Sequence, residues 1–191
     1  MEVVFAGPAR TPIGRFGGAF ASLSAVELAT RLSRSVLKRA GIRADQVDQA
    51  VFGHARQAGC GPNPARQVAV SCGIPVEKPA YTINQACLSG MQAILAAVRA
   101  IRLGEAEVVL AGGMESMSRV PYLLDARFGL RMGPKPLEDA MYRDGFVDPL
   151  CGKVMGETAE TLARDYRVSR EEQDAYAALS QQRCEAARRS G

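Results

Sequence analysis

Short apolar runs alternate with amphipathic segments through the first two thirds of this 191-residue sequence. The runs have the length and composition of strands, and they lie at residues 3–6, 50–52, 80–83 and 108–111. Between them, apolar residues recur at intervals of three and four, which is typical of helices that cover a sheet. This alternation predicts an α/β fold in which a parallel or mixed sheet is flanked by helices.

Capping patterns and glycines predict where the helices begin and end. Ser24 and Glu27 have the spacing at which a hydroxyl and a carboxylate satisfy free backbone N–H groups, so a helix is predicted to run from there to Ala40 and to end at Gly41. Four further helices are predicted at 65–71, 91–101, 158–166 and 169–189. Gly191 is predicted as the C-cap of the last one.

The composition excludes several classes of protein. Hydrophobic residues make up 47% and charged residues 23% of the chain, which is typical of a folded globular protein and not of a disordered tail, a collagen-like repeat or a coiled coil. The net charge is +4, with the basic residues spread along the chain, so neither a nucleic acid nor a membrane surface is indicated as a partner.

The cysteines and the single histidine indicate neither a disulfide framework nor a metal site. The five cysteines are odd in number and lack the CxxC spacing, and the one histidine is His54. The sequence opens with the apolar run at 3–6, without a basic segment before it and without an apolar stretch able to cross a bilayer. We therefore expect a cytoplasmic protein that contains no metal.

Cys87 lies between a predicted strand and the first turn of a predicted helix. Free backbone N–H groups and the helix dipole stabilise a thiolate at such a position, and the same groups can bind an oxyanion. Ser89 and Gly90 leave little side-chain bulk beside the sulfur, so an acyl group can approach the backbone. The alternative is a buried cysteine that acts as a small hydrophobic residue, and position alone leaves both interpretations open.

The segment around Cys87 resembles a known family signature. Residues 83–94, INQACLSGMQAI, are similar to the acyl-enzyme segment of the thiolases, the acetyl-CoA acyltransferases. Four other segments resemble thiolase motifs, and they occur in the family's order with similar spacing. They are RTPIGRFGG at 10–18, NPARQ at 63–67, AGGMESMS at 111–118 and MGETAE at 155–160. The ordered set extends over essentially the whole chain.

The resemblance implies an activity and a set of site residues. Cys87 would be the nucleophile that takes an acyl group as a thioester and passes it to a second acyl-CoA or to coenzyme A. Met155 matches a position that lines the pantetheine tunnel, and Phe146 and Val154 stand at neighbouring positions. Ordinary packing in a loop is the alternative for these three. Coenzyme A thioesters would be substrates, with no cofactor required, in the synthesis or degradation of 3-ketoacyl chains in fatty acid metabolism.

The resemblance also implies what this chain lacks. In thiolases a histidine base and a second cysteine come from a C-terminal half, and family members are about twice this length. We therefore expect residues 1–118 to form the N-terminal core domain without its last strand, and 119–191 to form the first part of a loop domain. The expected partners are the missing half and further copies, as a homodimer or homotetramer.

Two other functions have to be weighed. The chain could be a non-catalytic thiolase half that acts as an assembly subunit or a pseudo-enzyme, which the absence of the base favours. It could also be a condensing enzyme of the ketoacyl-synthase type, which shares the general fold and a cysteine nucleophile. The GGMESM segment at 112–117 and the long excursion after Ser118 favour the thiolase branch.

The remaining polar and sulfur-containing residues are interpreted as structural. Asn84 and Gln85 either orient the site or satisfy backbone groups at the end of the strand. Glu115 is predicted to be a hydrogen-bonded structural carboxylate, and His54 to be packed or solvated. No helix beginning lies beside the other cysteines, which are Cys60, Cys72, Cys151 and Cys184.

Overall fold

A computed structural model describes residues 2–190. These residues divide into two compact units, one ending at Gly145 and the other beginning at Phe146. Each unit is considered by itself. The boundary between a core domain and a loop domain after Ser118 stays a prediction.

Three parallel strands form the sheet of the first unit. They are β1 (Gln49–Gly53), β2 (Ala80–Ile83) and β3 (Val109–Gly113), in the order β2-β1-β3. Gly53, the last residue of β1, stands opposite Ile83 on one side and Gly113 on the other. The carboxyl ends of all three strands therefore meet at one edge of the sheet.

Helices pack on both faces of this sheet, as predicted. They are α1 (Ala25–Ala40), α2 (Pro64–Ser71) and α3 (Ser89–Arg102). Ala50 and Phe52 of β1 belong to the buried cluster that includes residues of α1 and α2. Val51 is fully buried and, because side chains alternate along a strand, points to the opposite face, and α3 packs on β1 and β3. The predicted α/β fold is confirmed, and every strand of this sheet runs in the same direction.

The boundaries of α1 follow the predicted capping chemistry. The backbone N–H of Glu27 donates to Ser24 Oγ at 3.1 Å, and the N–H of Ser24 donates to Glu27 Oε2 at 2.8 Å. Gly41 ends the helix with φ of 68°, a left-handed conformation that glycine adopts without steric cost.

The predicted first strand, Val3 to Ala6, is wrong. Residues 3–6 have no regular secondary structure, and the side chains of Val4 and Phe5 are exposed. A strand exists only where a neighbour pairs with its N–H and C=O groups, and none of the strands in residues 2–190 pairs with this run. The apolar composition of residues 3–6 is therefore not enough to predict a strand.

The excursion after Ser118 contains two short antiparallel pairs. In the first unit β4 (Tyr122–Leu123) pairs with β5 (Glu138–Asp139). In the second unit β6 (Val147–Asp148) pairs with β7 (Lys153–Val154). The sequence does not predict these pairs, because a two-residue strand carries no periodic signal.

Two helices complete the second unit. The helix predicted from residue 158 begins earlier, so that α4 is Met155–Asp165, because the Glu157 carboxylate accepts from the Val154 N–H at 2.9 Å and caps it there. The last helix, α5, is Arg170–Ser190, and Ser169 and Glu172 form a capping box at its start. The predicted C-cap, Gly191, lies outside the described residues.

Candidate active site

Cys87 lies in the connection between β2 and α3, two residues before the helix begins. Its thiol is free and exposed, at the edge of the sheet where the parallel strands end. The predicted strand-to-helix position is confirmed, and the alternative of a buried hydrophobic cysteine is excluded. Its role as a nucleophile stays a prediction. Open α/β sheets commonly bind ligands at this edge.

The residue before Cys87 has an unusual backbone conformation. Ala86 has φ of +49°, in the left-handed region, which costs a residue with a Cβ roughly 1–3 kcal/mol. The Ala86 N–H donates to Asn84 Oδ1 at 3.0 Å, and the Ala86 carbonyl accepts from Ser89 Oγ at 2.6 Å. The turn is thus held from both sides in the conformation that presents the sulfur ahead of the helix.

Ser89 contributes two hydrogen bonds to this turn, in addition to the small size that the sequence indicated. Its side chain is buried, and its Oγ accepts from the Gln85 N–H at 2.9 Å while it donates to Ala86. These two bonds join the first residue of α3 to the segment that precedes Cys87. We conclude that Ser89 closes the turn around the cysteine.

Three glycines let the start of α3 approach the sheet edge. A Cβ at Gly53 would overlap the backbone of Ser89 and Gly90. A Cβ at Gly113 would lie 3.1 Å from Gly90 Cα, which is closer than ordinary van der Waals contact. The first turn of α3 therefore rests on the ends of β1 and β3 only because side chains are missing there.

The other cysteines have surroundings unlike those of Cys87. Burial raises the pKa of the Cys60 thiol, and the negative charge of Glu115 raises it further. Burial also raises the pKa of the Cys72 thiol. Both thiols are disfavoured as thiolates, the form that attacks a thioester. Cys151 and Cys184 are exposed in the second unit.

Glu115 holds the backbone that follows β1. Its Oε2 accepts from the Ala55 N–H at 3.2 Å, and its Oε1 accepts from the Arg56 N–H at 3.2 Å. The buried His54 ring lies beside it, with Nε2 3.1 Å from Oε1 but without the alignment of a hydrogen bond. The predicted structural carboxylate is confirmed, and His54 is packed and buried.

Asn84 also satisfies backbone groups, which is one of its two predicted roles. Its Nδ2 donates to the Ala55 carbonyl at 3.2 Å, in addition to the bond that its Oδ1 accepts from Ala86. Gln85 takes part through its backbone N–H, which donates to Ser89.

Two segments that the sequence analysis singled out lie side by side in the first unit. The Gly17 N–H, in the segment 10–18, donates to Ser118 Oγ at 3.0 Å. Ser116 Oγ donates to the Leu23 carbonyl at 2.8 Å. These bonds join residues 17–23 to the segment after β3.

The three residues predicted to bind substrate belong to the second unit. Phe146 precedes β6, Val154 is paired with Val147 at the end of β7, and Met155 is the first residue of α4. Phe146 and Val154 are half-buried, whereas Met155 is exposed. Because Val147 pairs with Val154, Phe146 precedes one residue of this pair and Met155 follows the other. The role of the three residues in binding stays a prediction.

Sequence reasoning missed Ala86, Gly53 and the hydrogen bonds of Ser89. A glycine at the end of a predicted strand, with two more at 90 and 113, was the available signal for a close approach. Alanine gives no hint of a left-handed conformation. Within residues 2–190, no helix is long and apolar enough to cross a membrane.

Comparisons with known proteins agree with this arrangement. Residues 3–191 match the family described as thiolase, N-terminal domain. The chain is 44% identical over 190 residues to an acetyl-CoA acetyltransferase of Rhizobium meliloti, covering 100% of this chain and 48% of that protein. It is 47% identical to an acetyl-CoA acetyltransferase of Pseudomonas aeruginosa over 191 residues, covering 100% of this chain and 49% of that protein. A cytosolic acetyl-CoA acetyltransferase of Mus musculus is 43% identical over 189 residues, covering 99% and 48%.

A solved structure shows the same fold. The crystal structure of the Bacillus anthracis acetyl-CoA acetyltransferase superposes with a TM-score of 0.90 at 42% identity, covering 95% of this chain and 46% of that one. The chain thus spans about half the length of the relatives that it matches. The predicted thiolase-like layered fold is confirmed, and the chain belongs to the thiolase family, where it corresponds to the N-terminal domain.

Proposed function

We propose that this chain supplies the acyl-accepting half of a thiolase, an acyltransferase that moves acyl groups between coenzyme A thioesters through a thioester on Cys87. The observation that carries the proposal is the free, exposed sulfur just ahead of α3, at the carboxyl ends of three parallel strands. Membership of the thiolase family and relatives named acetyl-CoA acetyltransferases support it.

The chemistry follows from the properties of a thiolate. The Cys87 sulfur attacks the carbonyl carbon of an acyl-CoA, a new C–S bond forms, and the coenzyme A thiolate leaves and takes up a proton. The positive end of the α3 dipole, at Ser89, favours the negative charge that develops on the carbonyl oxygen. In condensation the α-carbon of a second acetyl-CoA then gives up a proton and attacks the thioester, so that a C–C bond forms and the Cys87 thiolate leaves. In thiolysis the Cys87 sulfur attacks the 3-keto carbon of a 3-ketoacyl-CoA, the bond between C2 and C3 breaks, and acetyl-CoA leaves after its C2 takes up a proton. The sulfur of coenzyme A then takes the acyl group from Cys87.

The substrate contacts and partners are also part of the proposal. Phe146, Val154 and Met155 contact the pantetheine arm of coenzyme A, which serves as substrate, with no cofactor. The base that deprotonates Cys87 comes from the C-terminal half that the resemblance implies, because the only histidine, His54, is buried beside Glu115. The active enzyme that contains this chain is a homodimer or homotetramer in the cytoplasm. Five free cysteines and a relative named cytosolic support that location.

Acylation of Cys87 tests the activity directly. The protein, alone and together with the C-terminal half of a relative, is incubated with acetyl-CoA or acetoacetyl-CoA, quenched in acid and analysed by intact mass and peptide mapping. We expect one acyl group on Cys87, released by hydroxylamine. Cys87→Ser should lose this adduct or replace it with a hydroxylamine-resistant ester, whereas Cys184→Ser, a change at another exposed cysteine, should keep it.

The result that contradicts the proposal is a folded complex of both halves that carries no acyl group on Cys87. An adduct on Cys151 or Cys184 in place of Cys87 would contradict it equally, because these thiols share the exposure but not the position at a helix start.

A non-catalytic assembly subunit is the second candidate. Leu88, Met91 and Leu95 lie on one side of the α3 segment and are 64%, 59% and 41% exposed, which is a typical surface for association. This function predicts stable association with a thiolase half and no thioester on Cys87 in the complex. The acylation experiment therefore distinguishes the two candidates.

A further inference from the structure

A series of hydrogen bonds leads from Glu115, through the backbone that follows β1, to the turn that carries Cys87. We propose that Glu115 is a positioning residue for Cys87, which it holds at the start of α3 through the backbone of Ala55 and the side chain of Asn84. This inference rests on the proposed function, because it concerns the residue assigned there as the nucleophile.

The first part of the chain fixes the backbone after β1. Both oxygens of Glu115 accept from main-chain N–H groups, those of Ala55 at 3.2 Å and Arg56 at 3.2 and 3.3 Å. The carboxylate spans about sixty residues of sequence to do so, because β1 and β3 are neighbours in the sheet. Residues 54–56 are thereby tied to the segment that follows β3.

The second part transmits this position to the turn. The Ala55 carbonyl, on the residue whose N–H is held by Glu115, accepts from Asn84 Nδ2 at 3.2 Å. The Oδ1 of the same Asn84 side chain accepts from the Ala86 N–H at 3.0 Å. The series of hydrogen bonds therefore ends on the residue directly before Cys87.

These hydrogen bonds hold Ala86 in its left-handed conformation. A left-handed alanine persists only where its surroundings hold it, and Asn84 and Ser89 are the two side chains that do so here. Ser89 acts from within the turn and the helix. Asn84 holds the Ala86 N–H and donates to the Ala55 carbonyl, and Glu115 in turn holds the Ala55 N–H.

Another carboxylate in the same sheet provides a matched control. Asp48 Oδ2 accepts from the N–H groups of Glu107 and Val108 at 3.0 and 3.1 Å, just as Glu115 holds two neighbouring amides. Asp48 precedes β1, whereas Ala55 follows it, so the control lies at the opposite edge of the sheet. Asp48→Asn should lower the free energy of unfolding without changing the reactivity of Cys87.

The test is the rate at which iodoacetamide alkylates Cys87, measured by peptide mapping with Cys184 in the same molecules as the reference. Glu115→Gln keeps one acceptor oxygen and turns an amide N–H₂ toward the other main-chain donor. We expect this variant to lower the alkylation rate of Cys87 about fivefold relative to that of Cys184. This is the effect expected from the loss of one ordinary hydrogen bond. Asp48→Asn should change this ratio by less than about twofold.

The direction of the change separates positioning from simple electrostatics. Removing the negative charge of Glu115 would favour a nearby thiolate, so a purely electrostatic role predicts faster alkylation. Loss of position predicts slower alkylation. Faster alkylation of Cys87 in Glu115→Gln would therefore overturn the proposal, as would an unchanged rate.

A second variant tests the connecting link even if Glu115→Gln does not fold. Asn84→Ser keeps a hydroxyl acceptor for the Ala86 N–H but is too short to donate to Ala55. We expect slower alkylation of Cys87, and in the double variant a rate no lower than in the slower single variant, because both act on one chain. A wild-type rate in Asn84→Ser, or independent multiplication of the two effects, would overturn the inference.

The alkylation assay does not depend on acyl transfer. If the wild-type protein forms no thioester with acyl-CoA while these alkylation results hold, the proposed function fails and the positioning role stands. If the thioester forms at the same rate in wild type and Glu115→Gln and alkylation is unchanged, the positioning role fails and the proposed function stands.

Discussion

At the scale of single residues, two carboxylates hold main-chain amides at opposite edges of one sheet. Glu115 holds Ala55 and Arg56 after β1, and Asp48 holds Glu107 and Val108. Buried or half-buried amides need such partners, because an unpaired N–H away from water costs about as much as a lost hydrogen bond. The same device thus stabilises the sheet at one end and shapes the candidate site at the other.

Asp48 should make stability depend on pH. Hydrogen bonds from the N–H groups of Glu107 and Val108, together with that from the Lys78 ammonium, lower the pKa of the Asp48 carboxyl. A folded pKa below the unfolded one stabilises the protein above the unfolded value of about 3.9, and this stabilisation is lost as the pH falls through the folded pKa. Asp48→Asn should therefore lower the free energy of unfolding by about 1–2 kcal/mol near pH 7, allowing for the partial exposure of the side chain.

Urea unfolding near neutral pH and near pH 3 measures this contribution. The difference between wild type and Asp48→Asn should shrink at the lower pH, because the unfolded carboxyl then takes up a proton while the lowered pKa of the folded carboxyl opposes protonation. A difference that is equal at both values would contradict the assignment. Asp45→Asn is the control for a surface ion pair: Arg43 also lowers the pKa of Asp45, but this side chain is more exposed than Asp48 and holds no strand, so its effect on the free energy of unfolding should be smaller at both pH values.

At the scale of elements, the packing of α3 on the sheet decides where Cys87 lies. The first turn of the helix touches the ends of β1 and β3 through the backbones of Gly53, Gly90 and Gly113. The same helix buries Ala93, Ala97 and Ala100, small residues that allow it to lie close to the strands along its length. Small residues therefore bring the helix beginning, and the cysteine before it, to the sheet edge.

Gly53→Ala should displace the start of α3. The new Cβ would overlap the backbone of Ser89 and Gly90, which has no flexible side chain to yield, so we expect a loss of about 1–3 kcal/mol in the free energy of unfolding. Alkylation of Cys87 should slow as the turn moves. Gly156→Ala is the control for stability, because a Cβ there meets open space and the residue lies in a helix. Equal stability of the two variants would show that α3 is not closely packed at Gly53.

Most elements of the first unit could be predicted because their signals are local. The strand predicted at 80–83 is β2, and the predicted end of α1 at Ala40 is observed. The strand predicted at 3–6 is wrong because a strand also needs a neighbouring strand to pair with, and no local pattern shows whether one is present. The two-residue strands after Ser118 were missed for the opposite reason, since pairing created them without any sequence period.

At the scale of the whole molecule, the described surface has an apolar side that a globular protein rarely leaves in water. Leu88, Met91 and Leu95 are exposed along α3, and the chain spans about half the length of its relatives. The resemblance to thiolases implies that the other half of a thiolase is a partner. An exposed face and a half-length match together favour association.

Sedimentation velocity tests this expectation. The chain should self-associate, aggregate or bind the C-terminal half of a relative, and Met91→Gln together with Leu95→Gln should weaken the association by removing apolar surface. The same changes at Leu124 and Leu137, exposed residues on another segment, are the control. A stable, soluble wild-type monomer that does not bind the C-terminal half would contradict the expectation.

The sequence by itself determined the α/β class, the capped helices, the thiolase resemblance and the place of Cys87 between a strand and a helix. These depend on periodicity, capping and short motifs, which act over a few residues. Only the tertiary structure decided that Ala86 is left-handed, that Gly53 receives the start of α3, and that Glu115 is joined to the turn through Ala55 and Asn84. These features join residues far apart in sequence, and such contacts form only when the parallel strands bring their carboxyl ends together.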